Sequence, residues 1–490
     1  MRLQTVTGLL VAISIGTFPA GSAASERPNF LFVIADDWSD GDAGVFGCPW
    51  VATPNFDRVA AEGVLFRNCF TSNPKCSPCR ASILTGRNTW QLGSGAVHFS
   101  LFPERGRYPV LTDVLEANGY QLGLTGKGWG PGNYEAAGFD RNPAGPMFRS
   151  RTMRSPKGTS AVDYAGNFAD FLKQRDPAKP FFFWLGTHEP HRIYNEGAGV
   201  RTGKEITEVT LPEYYPEDDR AEVIKSDLLD YAVEVEWFDS HLGRAVAELE
   251  RRGLLDDTVV VVTSDHGRPF PHVKGQIFDE GFSLPLAVRW GSHVAADRVV
   301  DDFINVRDFM PTILTLAGVA VPETVTGRSF VEQLLSEENG WIDDSRDVML
   351  VGKERHDIGR PGMAGYPVRA IRTPEYLFVK NYEPARWPAG HPDTGYRNCD
   401  NGPTKLALLD RDDKFYQMSF GFRPQNMLFR IADDPHNVDN LADDPAYSAV
   451  AGELESRMEA ILTAEGDPRM FGRGDEFDAF PYFGRKTPKN

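Results

Sequence analysis

The chain has 490 residues, 41% hydrophobic and 11% aromatic, which suits a large domain with a smaller one appended and excludes disordered and collagen-like proteins. Its formal net charge of −17 argues against a nucleic-acid binder, because such proteins need an excess of Lys and Arg. An anionic substrate is still compatible with this charge, since a local cluster of basic residues and metal acts at short range.

The first predicted element is a secretory signal peptide over residues 1–24. Arg2 provides the positive start, Leu9 to Ile15 form a short apolar run, and small residues at 22–24 suit cleavage. The run is shorter than the ~20 residues that a membrane-spanning helix needs. We therefore predict a secreted or periplasmic protein with no stable membrane insertion.

Three continuous apolar runs predict strands that are buried on both faces of a parallel sheet. They are 29–35, 181–186 and 258–263. Each run is followed directly or closely by Asp or His residues. Because ligand sites of open α/β sheets lie beyond the carboxyl ends of the strands, we expect the functional residues to meet there.

Helical patterns lie between these strands. Residues 53–64 predict a helix with Pro54 in its first turn, and residues 221–252 predict a long amphipathic helix. The alternation indicates an α/β fold with a large, mostly parallel sheet flanked by helices. Short strand patterns after residue 345 and a helix over 449–462 predict a smaller C-terminal α+β subdomain with an antiparallel sheet. The predicted catalytic domain is 25–345 and the subdomain is 346–490.

The segment with the most chemical information begins at Cys76 and reads Cys-Ser-Pro-Cys-Arg, followed by Ala-Ser-Ile-Leu-Thr-Gly-Arg. Cys76 and Cys79 also form a C-x-x-C pair, which is typical of redox sites or of half a zinc site. The chain has no second C-x-x-C pair, and its five cysteines are an odd number for an exported protein.

This segment resembles the signature of type I sulfatases, which implies an alkaline-phosphatase-like fold. The resemblance implies that Cys76 is oxidised to formylglycine (3-oxoalanine), whose hydrated aldehyde attacks sulfur. A formylglycine-generating enzyme or an anaerobic sulfatase-maturating enzyme would be the partner for this conversion. Conversion would leave four cysteines, an even number.

The resemblance also implies one calcium ion per chain. Asp36 and Asp37 match the first metal pair of the family, and Asp265 and His266 match the second, where Asn is more common than His. Together with residue 76 they offer hard oxygen ligands and one nitrogen, which suit calcium better than magnesium.

Four further residues match groups that contact sulfate or support the nucleophile in the family. The resemblance implies that Arg80 orients the diol and that Lys127 and Lys274 bind sulfate oxygens. His191 would contact sulfate and protonate the leaving atom. The chain departs from the family at Cys79, where a small residue is usual, and at Trp129, where many members have His; His188 is the alternative proton donor.

Other stretches resemble the N-sulfoglucosamine sulfohydrolase (heparan N-sulfatase) branch of the family, including 65–72, 187–192, 263–271 and 428–441. The leading hypothesis is therefore an exported sulfatase that acts on N-sulfoglucosamine of heparan-type saccharides. The alternatives are an O-sulfatase for a marine polysaccharide such as ulvan or carrageenan, a formylglycine-dependent phosphonate or phosphate ester hydrolase, and an inactive glycan-binding homologue. A homodimer is a further possible assembly.

Candidate substrate-binding residues follow from position. Arg355 and His356 lie in a dense polar run directly after a predicted strand, where they would bind a uronate or a sugar hydroxyl. His98 and His188 are further candidates. The Arg-aromatic pairs at 386–387 and 396–397 have the composition of sugar sites.

Overall fold

The computed structural model describes residues 27–485, so the predicted signal peptide lies outside the described residues. Twelve strands form two sheets within the described chain. The strands of the larger sheet are β1 (Asn29–Ala35), β2 (Val64–Phe70), β3 (Gln121–Gly126), β4 (Phe181–Gly186), β5 (Thr258–Ser264), β6 (Ser283–Arg289), β7 (Arg298–Val300) and β8 (Ile304–Asn305).

The larger sheet has the order β3-β4-β1-β5-β6-β2-β7, and β8 pairs with β2. β3, β4, β1 and β5 are mutually parallel, whereas β6 runs antiparallel to both of its neighbours. The prediction of a mostly parallel sheet is confirmed. The parallel register of β1, β4 and β5 brings the carboxyl ends of these three strands together.

Side chains of β1 alternate between two apolar layers, one on each face of the sheet. Leu31 and Val33 belong to one buried cluster, and Phe30 and Phe32 belong to the other. This explains why the strand reads as a continuous apolar run, since neither face is left for polar residues.

Within residues 27–485, thirteen α-helices surround the sheets. They are α1 (Pro54–Ala61), α2 (Cys76–Thr85), α3 (Leu111–Ala117), α4 (Tyr164–Gln174), α5 (Ala198–Arg201), α6 (Ala221–Arg251), α7 (Asp279–Phe282), α8 (Phe309–Leu316), α9 (Val331–Leu335), α10 (Pro403–Leu409), α11 (Lys414–Phe420), α12 (Ser448–Ala464) and α13 (Glu476–Ala479). The predicted helices at 53–64, 221–252 and 449–462 are confirmed as α1, α6 and α12. None of the helices in residues 27–485 combines the length and apolarity of a membrane span.

The smaller sheet is antiparallel, as predicted. Its order is β12-β11-β10-β9, with β9 (Met349–Lys353), β10 (Val368–Arg372), β11 (Tyr376–Asn381) and β12 (Asn426–Arg430). One of its faces packs on α12 through a small apolar cluster that includes Ile371, Phe378 and Met458. The predicted domain boundary at 345/346 falls between the last strand of the larger sheet and the first strand of the smaller one.

Candidate active site

The candidate site lies beyond the carboxyl ends of β1, β3, β4 and β5. Asp36 and Asp37 follow β1, and Asp265 and His266 follow β5. All four side chains are buried, with at most 2% exposure. The backbone N–H of Asp37 donates to Asp265 Oδ1 at 3.1 Å, so the two strand ends are tied together.

Cys76 is the first residue of α2, and its side chain points into this group. Its Sγ lies 3.2 Å from His266 Nε2. One ligand atom from each of Asp36, Cys76, Asp265 and His266 lies within 4.8 Å of the others. We call these four residues the carboxylate cluster.

Arg80, one helical turn after Cys76, joins α2 to the sheet. The Nε atom donates to Asp265 Oδ2 at 2.8 Å, and Nη1 donates to the backbone oxygens of Lys127 and Gly128 at 2.8 and 3.1 Å. The side chain has no exposed surface. A guanidinium suits this position, because its fixed fork of donors holds a carboxylate and two carbonyls at once.

Two lysines and one histidine border the carboxylate cluster. Lys127 Nζ donates to both carboxylate oxygens of Asp36 at 2.6 Å. Lys274 bridges Asp37 and Asp400. His191 Nδ1 donates to the backbone oxygen of Arg192 at 2.5 Å, which leaves Nε2 facing Asp37 at 3.9 Å.

The close meeting of β3 and β4 directs Lys127 towards Asp36. Gly126 has φ +70°, and a Cβ there would lie 2.0 Å from the backbone oxygen of Gly186. Only glycine fits such an approach with this backbone conformation.

The carboxylate cluster has the electrostatic character of a cation site. Burial alone would lower the pKa of His266, but the charges of Asp265 and Asp37 outweigh it and raise that pKa to about 10. Burial and neighbouring negative charges raise the pKa of Asp36 to about 8 against the opposing charge of Lys127. A divalent cation would relieve this excess of negative charge and replace the proton on His266.

The predicted ligand set fits calcium in kind, since it offers carboxylate oxygens and one imidazole nitrogen. Four of the five predicted ligands belong to the carboxylate cluster, and the fifth, Asp37, lies at its edge with Oδ1 2.9 Å from His266 Nε2.

The thiol of Cys76 lies in a positive local field. Burial alone would raise the pKa of Cys76, but the charges of Lys127 and His266 outweigh it and lower that pKa to about 5. An oxyanion at the same position would experience the same attraction.

A cavity of about 790 Å³ opens above Cys76, and we call it the Cys76 cavity. Among the predicted residues Asp36, Cys76, His98, Lys127, His188, His191, Lys274 and Arg397 line it. His98 Nδ1 donates to the backbone oxygen of His356 at 2.7 Å.

Arg355 and His356 do not line the cavity, and the prediction that they contact substrate is corrected. Arg355 is fully buried, and its guanidinium donates to the backbone oxygens of Asp478 and Phe480 at 3.0 and 2.7 Å. His356 Nε2 lies 2.8 Å from Asn73 Oδ1. Both side chains are committed to contacts inside the protein. Their neighbour Asp357 lines the cavity instead.

The two departures from the family pattern have structural explanations. Trp129 is buried, and its Nε1 donates to the backbone oxygen of Ser77 at 3.0 Å, so the indole supports the first turn of α2. Cys79 is buried in the apolar layer and does not line the cavity. All five cysteines lie within the described residues and are unpaired, so the four that would remain after conversion of Cys76 form no disulfide bonds.

Sequence reasoning missed several residues of the cavity wall, and three charged ones show why. Lys75 directly precedes Cys76, and this position beside the predicted nucleophile could have marked it as a site residue. Glu234 follows Asp227 and Asp230 on the buried face of α6, where acidic residues interrupt an apolar pattern. Asp400 lies in a loop after residue 395, and no local pattern marks it.

Comparisons with known proteins agree with this geometry. The sequence model of the Sulfatase family matches residues 28–319, which is more than half of the chain. A second model, described as the C-terminal part of N-sulphoglucosamine sulphohydrolase, matches residues 271–384.

Curated relatives match along most of the chain at low identity. Human N-sulphoglucosamine sulphohydrolase is 26% identical over 90% of this chain and 91% of its own. An ulvan-active sulfatase of Formosa agariphila is 24% identical over 90% of this chain and 76% of its own.

Solved structures establish the shared fold. A protein in complex with its substrate D-glucosamine-2-N,6-O-disulfate has a TM-score of 0.66 at 21% identity, over 90% of this chain and 99% of its own. A phosphonate monoester hydrolase from Silicibacter pomeroyi has a TM-score of 0.67 at 20% identity, over 90% of this chain and 96% of its own. At such identities the likeness concerns the fold alone, and it confirms the predicted alkaline-phosphatase-like architecture.

Proposed function

Since the chain belongs to the sulfatase family and is a sulfuric ester hydrolase, we propose that it removes sulfate from a sulfated glycan through a formylglycine made from Cys76. The observation that carries this proposal is the position of Cys76. It starts α2 inside the carboxylate cluster and lies at the wall of a cavity that Lys127 and Lys274 also line.

The proposed nucleophile is one hydroxyl of the hydrated aldehyde at position 76. It attacks sulfur, the bond from sulfur to the glycan oxygen or nitrogen breaks, and the glycan leaves with a proton. The second hydroxyl then loses its proton as the aldehyde re-forms, which expels sulfate. Water adds to the aldehyde and restores the diol. A thiol cannot follow this route, because it has no second hydroxyl.

Calcium fits the carboxylate cluster, with Asp36, Asp265, His266 and the oxygen at position 76 as ligands and Asp37 at the edge. When bound, calcium would lower the pKa of the diol and neutralise developing charge. Arg80 holds Asp265 and the turn after β3, and thereby fixes the diol relative to the sheet. Lys127 and Lys274 supply positive charge to the sulfate oxygens.

We assign protonation of the leaving atom to His191. The Nδ1 proton of His191 is engaged by a carbonyl, so Nε2 is available to carry a second proton to the glycan. Burial and the charges of Lys127 and Arg80 lower the pKa of His188 to about 4, so His188 is neutral at pH 7 and a poor acid.

The proposed substrate is N-sulfoglucosamine of a heparan-type saccharide. The C-terminal match to N-sulphoglucosamine sulphohydrolase and the human relative support it. O-sulfated ulvan is the second candidate, supported by the Formosa relative at similar identity. We further propose export, on the pattern of residues 1–24, and maturation by a formylglycine-generating or anaerobic sulfatase-maturating enzyme.

The proposal is tested by mass spectrometry and kinetics on protein co-expressed with a maturation enzyme. The peptide that contains residue 76 should be lighter than the unmodified peptide by the mass difference between cysteine and formylglycine. The mature protein should hydrolyse N-sulfoglucosamine and an aryl sulfate, and Cys76→Ala should lower kcat by about 10⁴-fold or more. Unmodified Cys76, or faster turnover of a phosphonate monoester than of every sulfate, would refute the proposal.

The metal assignment has a separate test. Calcium added to chelator-treated protein should raise the unfolding temperature by mass action and restore activity. Asp265→Asn should remove most of that thermal shift, whereas Asp443→Asn, an exposed residue far from the site in sequence, should keep it. A calcium response that is the same in Asp265→Asn and in the parent protein would contradict the assignment.

A further inference from the structure

Lys75 differs from the other basic residues of the Cys76 cavity. Its side chain is only 4% exposed and lines the cavity next to Cys76. Among the described residues, its amino group has neither a hydrogen-bond acceptor nor an ion-pair partner. The other basic side chains of the wall all have a carboxylate partner, and the pairs are Lys127 with Asp36, Lys274 with Asp37 and Asp400, Arg192 with Asp227, and Arg397 with Asp357.

A nearly buried ammonium group without a counter-ion loses part of its hydration, so the Lys75 amino group, which lines the cavity, is a favourable partner for an anion that enters it. Asp400 also lines the cavity, but Lys274 already binds its carboxylate. The charges of Lys274, His191 and Lys75 lower the pKa of Asp400 despite its burial, so its carboxylate is already shared among several cations. An anionic group of a ligand would supply the charge that the protein does not.

The cavity has room for such a group. A second space of about 680 Å³ adjoins the Cys76 cavity and shares Phe99, Arg397 and Asp400 with it. The two spaces together exceed the volume of a single sugar-sized site. Because Lys75 directly precedes Cys76, an anion that it binds must lie close to the sulfate under attack, on the same sugar or on the next one.

We propose that Lys75 forms a second anion-binding position, which receives a carboxylate or a second sulfate of the glycan whose first sulfate reaches residue 76. This inference rests on the proposed function and specifies its substrate as a glycan with two anionic groups close together. Lys75 selects this substrate and takes no part in the bond-breaking step.

The test compares three substrates on the calcium-loaded, mature protein. They are glucosamine N-sulfate, glucosamine-2-N,6-O-disulfate, and a disaccharide in which a uronate is joined to N-sulfoglucosamine. Lys75→Met should lower kcat/KM for at least one of the two dianionic substrates by about 10- to 100-fold more than for glucosamine N-sulfate. The substrate that responds identifies the anion as sulfate or carboxylate.

Two variants separate this role from general damage. Lys75→Arg keeps the positive charge and should retain the selectivity. Lys274→Met removes a charge that we assign to the reacting sulfate, so it should slow all three substrates by similar factors. Rates are divided by the fraction of formylglycine, measured by mass spectrometry, because Lys75 flanks the modified residue. Equal loss on all three substrates in Lys75→Met would overturn the inference.

If the mature protein hydrolyses no sulfate, the proposed function fails, but Lys75 can still be tested. Calorimetry with the same three saccharides should then show that Lys75→Met weakens binding of a dianionic saccharide more than of glucosamine N-sulfate. Equal weakening, or none, would reject the anion position independently of the chemistry.

Discussion

Two of the buried groups of charged residues differ in how much of their charge is available to a ligand. In the carboxylate cluster and its surroundings, the charges converge on a cavity, and several of them are displaced from their usual pKa. In the smaller sheet, Arg369 of β10 binds Asp467 and Glu354 at 2.6 and 2.8 Å, and Arg469 also binds Glu354 at 2.8 Å. In this second group, which we call the Arg369 network, the charged side chains pair with one another.

The difference shows that burial of charge alone does not indicate function. In the Arg369 network every guanidinium is met by carboxylates inside the protein, so no charge is available to a ligand. Arg355 is likewise unavailable to a ligand, because it is fully buried and backbone carbonyls accept hydrogen bonds from its Nη1 and Nη2 atoms. The carboxylate cluster instead has ligand atoms that converge on one point, and it lies beside Lys75, whose amino group has no partner in the part of the chain that the structure describes.

The largest expected effect comes from breaking the Arg369 network. Arg369→Met leaves Asp467 and part of Glu354 buried without a counter-charge, so it should lower the free energy of unfolding by about 3–5 kcal/mol. Urea unfolding measures this. Arg151→Met, which removes an exposed pair with Asp170, should cost less than about 1 kcal/mol. The kcat of folded Arg369→Met should match the parent; a large loss of kcat would place this network in the active site.

The second prediction concerns the border of the carboxylate cluster, where loss of a charge should reduce catalysis more than stability. Lys127→Met should lower kcat by about 10²- to 10³-fold, because it removes one preorganised charge from the developing negative charge of the transition state. In calcium-loaded protein the loss of unfolding free energy should be smaller than for Arg369→Met. Steady-state kinetics on an aryl sulfate and urea unfolding measure both. A kcat within threefold of the parent would show that Lys127 acts only as a partner of Asp36.

The sequence predicted the larger sheet and the cluster for the same physical reason. A strand buried on both faces has to be apolar throughout, so its end is marked by the first charged residue, as at Asp36 and Asp265. Parallel pairing then brings those ends together. The helix at Cys76 was not predicted, because Cys, Ser and Pro at its start carry no helical periodicity.

The remaining parts of the cavity depend on contacts between distant segments. Asp400 reaches the site through Lys274, 126 residues away in the chain, and this pairing leaves no local trace. Arg355 and His356 have the composition of a binding site, but backbone oxygens of the segment over 478–481 accept hydrogen bonds from Nη1 and Nη2 of the buried Arg355. Local composition therefore identified polar residues but not the direction in which their side chains point.

The smallest expected effect concerns Glu234, an acidic residue of the cavity wall on α6. Burial and the charges of Glu189 and Asp230 raise its pKa to about 9. The pKa of a glutamate in an unfolded chain is about 4.3, so the folded state binds one more proton than the unfolded state between these two values. Ionisation of Glu234 in the unfolded chain, while the folded state keeps its proton, therefore lowers stability progressively as pH rises from about 4.3 to about 9, and has no effect below that window.

Glu234→Gln removes this titration, so its benefit should grow with pH. The variant should be more stable than the parent by about 2 kcal/mol at pH 6 and nearly equal to it at pH 4.5, as measured by urea unfolding at both values. Glu222→Gln, at the exposed start of the same helix, serves as the matched control and should change stability little at either pH. A difference for Glu234→Gln that is the same at both pH values would show that the pKa of Glu234 is not raised in the folded protein. Glu234 would then be stabilised by its surroundings, as the carboxylates of the Arg369 network are. Lys75 would remain as the residue that distinguishes the cavity from that network.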